Sequence, residues 1–441
     1  MIARNSSNPN AYAAIIPRLL EVLPTQKNDA LRIGNSLSDE PEIFTSFPSL
    51  ASDTLAYVPY KIGRQRGPLR AEDPRSFDRA IVRNLARLRG HGLSWVAAAG
   101  SDARAHEMLG LILESAGVLD GDEQSARAHV AHARRIASRS PPNADSYMRD
   151  LRLAISDIRL RLKLSQFDAA GALADSVLNW KPAALDGSAA RIADDMLSGV
   201  AALTGRPSRI HAINRKYSAE YPVELLSGEE GKLPPEVGTD ANALLTYGLF
   251  GGPADSITTI ADRLSLKLAA LYPKADLEVV RSGVLRRPLA LATPAIGPER
   301  LGSLGAASDH FDNAVRGLRA GNMRMARAYV DSLTSLRSEN APGEITMDAV
   351  LQHAWLLTAV GDDNGAMNLL DNAFRGISKM PANTVEEAPV AASLVRSMIL
   401  RAQLASKHGD ASTTAGWTSA ARALWGRGDP AVRSQLRAAL P

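Results

Sequence analysis

Cysteine is absent from all 441 residues. That excludes disulfides, thiolate zinc sites and a cysteine nucleophile, and it suits a reducing cytoplasm and a cysteine-poor periplasm equally. Aromatic residues are scarce at 5%, so the apolar content rests on Ala and Leu, which favour helix over strand. No stretch reaches the ~18 consecutive apolar residues of a membrane helix, so no membrane insertion is expected. One-sided charge is lacking too. The formal net charge is +4, too weak a field to argue for nucleic acid or anionic lipid. The apolar patch Ala13 to Ile16 stops at Pro17 before a signal h-region is complete, so no export signal is expected. The expected compartment is the cytoplasm, with the periplasm left open. Also missing are a Gly-x-Ser-x-Gly elbow, a phosphate-cradling Gly-x-x-x-x-Gly-Lys and a dinucleotide fingerprint; Gly248 to Gly252 lacks the Lys and the preceding strand. The chain is therefore read as non-catalytic, with no cofactor and no metal.

What is present is helix. Apolar residues make up 45% of the chain, and from Pro74 onward they recur three or four apart, beginning with Phe77, Ile81, Leu85 and Leu88. No sheet-forming segment is expected to interrupt that period. Residues 1–73 differ: Pro9, Pro17, Pro24, Pro41, Pro48 and Pro59 break any long helix there. This segment reads as a Pro-rich helical and irregular cap. The remainder divides into helical repeats over 74–272, a loop-rich junction over 273–308 marked by Pro273, Gly283, Pro288, Pro294 and Gly297, and further repeats over 309–441. A second loop-rich patch is expected over Pro222 to Thr239.

The helical period is organised into repeated hairpins. Ala154 to Pro182 reads as a helix through Ile158 and Leu162, a turn at Ser165 and Gln166, and a second helix through Phe167, Ala170, Ala174 and Leu178 that Pro182 stops. The frame returns around Gly321 and Asn322, Gly361 and Asp362, and Gly409 and Asp410, with Ala326, Ala366 and Thr414 in the second helices. Gly suits the left-handed position that ends a helix, and Asp362 suits an N-cap. Weaker copies carry Leu109 and Gly110 with Ala126 and Ala133, then Leu197 with Gly205 and Ile210, and a seventh lies at Asn242 to Tyr272. Copies aligned on Ala126, Ala170, Ile210, Ile257, Ala326, Ala366 and Thr414 step by 44, 40, 47, 69, 40 and 48 residues.

The run Phe167, Ala170, Pro182 resembles the second-helix signature of tetratricopeptide repeat proteins, although the steps exceed that family's period of about 34. Ser94 to Ala137, Ala154 to Leu178 and Glu387 to Leu424 resemble the helical regions that follow the catalytic domain in some bacterial serine/threonine protein kinases. The kinase domain itself has no counterpart: there is no Gly-rich loop, no paired Lys and no His-Arg-Asp followed by Asn. The resemblance implies an all-α, TPR-like α-solenoid of antiparallel helical hairpins wound in a right-handed superhelix, and a sensory or docking module. It carries over no catalytic residue.

Several residues are candidates for chemistry. His129 and His132 share a helix face, but a metal would need a third His or a carboxylate converging there, so a surface or packing role is expected. Arg79, Arg83 and Arg87 fall one turn apart in a basic stripe, read first as a solvated face and second as a partner-binding surface. Trp355, Trp417 and Trp425 are expected in the core, with a groove hot spot as the alternative. The functional expectation is a protein-protein interaction scaffold that binds a peptide or partner domain along first-helix positions such as Arg161, His310 and Gln352. The alternative is a ligand-sensing regulatory module of a bacterial signalling kinase or transcription regulator. Nucleic acid is not the expected partner.

Overall fold

The computed structural model describes residues 89–90, 92–139, 143–180, 185, 187–218, 222–224, 230–297, 310–338, 346–379 and 384–440. They fall into two compact units. The first takes the described residues within Met1–Gln166, Lys181–Ala189 and Ser378–Asn383; the second takes those within Phe167–Trp180, Ala190–Ile377 and Thr384–Pro441. Both are all-helical apart from one short β-hairpin. The expected cap over residues 1–73 and the Arg79, Arg83, Arg87 stripe lie outside the described residues.

The first unit contains α1 (Ala103–Ser115), α2 (Ala126–Ala137) and α3 (Ala144–Lys163). Each starts on a side chain that accepts from a free backbone N–H of the first turn: Asp102 from Arg104, Ser125 from Ala128, and Asn143 from Ser146, which returns the bond. Leu109, Leu113, Ala126, Val130 and Leu160 form one core cluster across the three helices. Gly110 lets α1 approach α2, because a Cβ there would meet a Val130 methyl at 2.9 Å. The core also holds charge. Arg159 of α3 is 1% exposed and grips Glu114 of α1 with Nε at 2.7 Å and Nη2 at 2.8 Å, while Lys163 Nζ reaches the same carboxylate at 2.7 Å.

The second unit begins with α4 (Phe167–Leu178), the part of α5 (Gly187–Leu203) from Ala190 on, and α6 (Pro207–Lys216). Then come β1 (Pro222–Glu224), β2 (Glu230–Lys232), α7 (Pro235–Phe250), α8 (Ala254–Leu271) and α9 (Lys274–Ile296). Three hairpins follow: α10 (His310–Arg319) with α11 (Met323–Ser338), α12 (Met347–Ala359) with α13 (Asp363–Arg375), and α14 (Ala388–Lys407) with α15 (Ala411–Trp425), before α16 (Pro430–Ala439). The hairpin turns share one construction. In α5, α10, α12 and α14 the glycine at 205, 321, 361 or 409 sits at φ between 65° and 83°, and the next residue's N–H returns to the carbonyl five residues back at 2.8 or 2.9 Å. That next residue then caps the following helix: Asn322, Asp362 and Asp410 accept from Met325, Gly365 and Thr413. Arg206 has no such oxygen, and Asp429, 221 residues away, accepts from Ser208 instead. In the first unit α3 ends the same way, with Ser165 taking the left-handed position at φ 56°.

Two observations correct the expectations. Two short strands, pairing Pro222 with Lys232 and Glu224 with Glu230, stand in a patch read as loop, where no strand was expected. Residues expected in a loop-rich junction form α9, a 23-residue helix that runs through Pro288 and Pro294. Prolines cost a helix its internal bonds, and a buried arginine stands beside this stretch of α9: Arg396 Nη1 donates to Leu291 O in α9 at 2.7 Å and to Gly248 O at the end of α7 at 2.8 Å. Burial without a carboxylate partner pushes its guanidinium down to about 10. Beside the contacts between neighbouring helices, α15 packs on α4 and α14 packs on α7 in this unit. Trp425 Nε1 donates to Ala202 O at 3.1 Å, and a Cβ on Gly199 would fall 2.1 Å from Val385 O.

Candidate functional site

Two constellations stand out, one in each unit. In the second unit, α4 crosses α15 at a point where neither helix has bulk. A Cβ on Gly171 would lie 2.4 Å from Ala423 O, so only glycine lets the two backbones approach this closely. Beside the crossing lies a cleft of about 360 Å³ lined by Asp168 from α4, by Ala415, Thr418, Ser419, Arg422 and Ala423 from α15, and by Arg427 just beyond it. Thr418 and Arg422 are one turn apart and so face the cleft together.

The cleft's polar groups have little to hold them. Among the described residues the hydroxyl of Thr418, a residue only 7% exposed, has no hydrogen-bond partner; a buried donor left unmade costs about 1–3 kcal/mol. Arg422 and Asp168 are exposed and have no ion pair among the described residues. Arg427 reaches Asp175 only at 3.8 Å, because Asp175 is already held by Arg206 at 2.8 Å. Close to this face, Trp417 is half-buried against Phe374, ring centroids 4.0 Å apart, and against Phe167 at 6.5 Å. Trp425, in contrast, lies in the core at 3% exposure.

In the first unit a third histidine joins the pair on α2. His106 of α1 brings its Nδ1 to 2.9 Å from Nδ1 of His129, and its ring centroid lies 4.2 Å from that of His132. His106 Nε2 lies 3.1 Å from Gly100 O, which can only accept, so that nitrogen carries the proton. Nδ1 of His106 must then accept from Nδ1 of His129, which leaves Nε2 of His129 bare, and that atom is buried without a partner among the described residues. Burial, reinforced by the neighbouring imidazoles, pushes His129 down to about 4; burial also lowers His106. The rings lie against one another rather than around a common point. Among the described residues no group of three or more His, Asp or Glu side chains is disposed to hold a metal ion.

No family model, curated protein or solved structure matches this chain. The site is therefore read from its own residues. Of the first-helix positions expected to meet a partner, Arg161 lies in the first unit and is committed to Asp157 at 2.9 Å. His310 opens α10, its ring 6.0 Å from Tyr329. Gln352 is half-buried in α12. No hydrogen bond joins these positions. Sequence reasoning passed over Asp168, Thr418, Ser419 and Arg422. The signal for the last three was a polar Thr, Ser and Arg face on a helix otherwise rich in Ala. The signal for His106 was absent, since 23 residues separate it from His129. Among the described residues no helix is long and apolar enough to cross a membrane.

Proposed function

We propose that this chain is a non-catalytic interaction scaffold, a TPR-like α-solenoid whose hairpins present first-helix side chains to a peptide or a partner domain. The observation that carries the reading is the recurring turn: four second-unit hairpins end their first helix on a left-handed glycine and start the second helix at the next residue but one. A turn of fixed length and handedness sets the angle of these four hairpins, and arrays of such hairpins expose ordered rows of side chains for binding. The resemblance of Phe167 through Pro182 to the tetratricopeptide signature supports the same reading.

The test is affinity purification from the source extract with the full chain and with a His310→Glu, Gln352→Glu variant, partners being identified by mass spectrometry. A partner present for the parent chain and lost from the variant supports the reading. Identical partner lists refute the groove assignment. Arg161 is less useful here, because reversing it would also set a carboxylate against Asp157, which Arg161 and Arg134 hold together.

A further inference from the structure

We propose that the cleft between α4 and α15 binds a peptide segment through a carboxylate, supplied by an acidic side chain or by a C-terminus; this rests on the scaffold reading and names the chemistry of the partner. The charge count selects the ligand. Arg422 and Arg427 contribute two positive charges and Asp168 one negative, leaving one net positive charge among the lining residues. A carboxylate balances that sum and accepts bidentate from a guanidinium. A dianionic phosphate exceeds it and meets Asp168. The peptide's backbone N–H groups supply the donors that Asp168 needs. The remaining wall is Ala415, Ser419 and Ala423, all small, which leaves the main chain of an extended segment room to lie along α15. At about 360 Å³ the cleft sits at the small end of ligand sites.

The experiment is a titration of the full chain, labelled with carbon-13 in its threonine methyls and observed by NMR. The Thr418 signal is assigned by its disappearance in Thr418→Val, a change that keeps the shape of the side chain. The probes are N-acetylglutamate α-amide for a side-chain carboxylate, N-acetylglycine for a terminal one, N-acetylglutamine amide as the neutral control, and inorganic phosphate. Either carboxylate should shift the Thr418 methyl with saturation in the millimolar range, and the tighter of the two identifies the source. The neutral amide should not shift it. Arg422→Gln, at an exposed position, should weaken the carboxylate about tenfold, while Arg433→Gln on α16 leaves it unchanged. No response to either carboxylate, an equal response to the neutral amide, or saturation by phosphate alone overturns the proposal. Carboxylate binding without any partner sensitive to His310 and Gln352 would sink the scaffold reading and spare the cleft. The converse would sink the cleft alone.

Discussion

Replacing Glu114 by Gln should unfold the first unit far more readily than its small change in size suggests. Glu114 sits 5% exposed between Arg159 and Lys163. Burial alone would raise its carboxyl, but the two cations overcome that and hold it near 2, from an ordinary value of 4.5. A difference of about 2.5 units is worth roughly 3 kcal/mol of stability at neutral pH. The amide keeps the shape but removes the buried carboxylate charge that Arg159 and Lys163 share, a loss of about 3–5 kcal/mol. The sign with pH follows. Because the folded value lies below the unfolded one, the contribution is complete above about pH 4.5 and drains away as the pH falls toward 2. Urea unfolding followed by circular dichroism gives the total, and hydrogen exchange of peptides from α1 and α3 assigns the loss to the first unit. A loss below about 1 kcal/mol, or the same acid dependence between pH 4.5 and 2 in parent and variant, would refute the account of this cluster.

Two further outcomes are expected. Ser165→Gly should stabilise the end of α3 by up to about 1 kcal/mol, since Ser165 holds a left-handed backbone at φ 56° where glycine carries no Cβ penalty; thermal unfolding checks it, and a lower melting temperature contradicts it. His129 should make the first unit acid-sensitive: it binds a proton near pH 6.5 when unfolded but only near 4 when folded, so stability falls as the pH drops through that window. His129→Gln should flatten this slope in thermal melts taken from pH 7 to 4, and an unchanged slope would show that other groups govern it.

The turns were legible because their chemistry is local. A glycine forced to positive φ and an Asn or Asp able to cap the next helix lie side by side in the chain, so Gly361 with Asp362 and Gly409 with Asp410 announce a hairpin without help from elsewhere. What escaped was settled over long separations. Pro288 and Pro294 read as a break, and yet α9 continues, with Arg396 beside it taking a carbonyl of α9 and another of α7. The two strands at Pro222 to Lys232 are too short to leave an alternating pattern. The cleft was invisible for the same reason as Arg396. Asp168 and Arg422 are separated by more than half the chain, and the glycine that brings them together, Gly171, looks in sequence like any small residue of a second helix.

The N-terminus of α6 has a further consequence. Its free N–H at Ser208 is answered by Asp429, and Gly205 O by the N–H of that same aspartate. During synthesis the ribosome must therefore deliver some 220 more residues after α6 before its first turn meets the group that completes it. Until then the Ala202 carbonyl also waits for Trp425. The middle of the second unit is thus left exposed to proteases and chaperones while the last helices are made, and a chain stopped short of Trp425 should be degraded even though every upstream hairpin is intact.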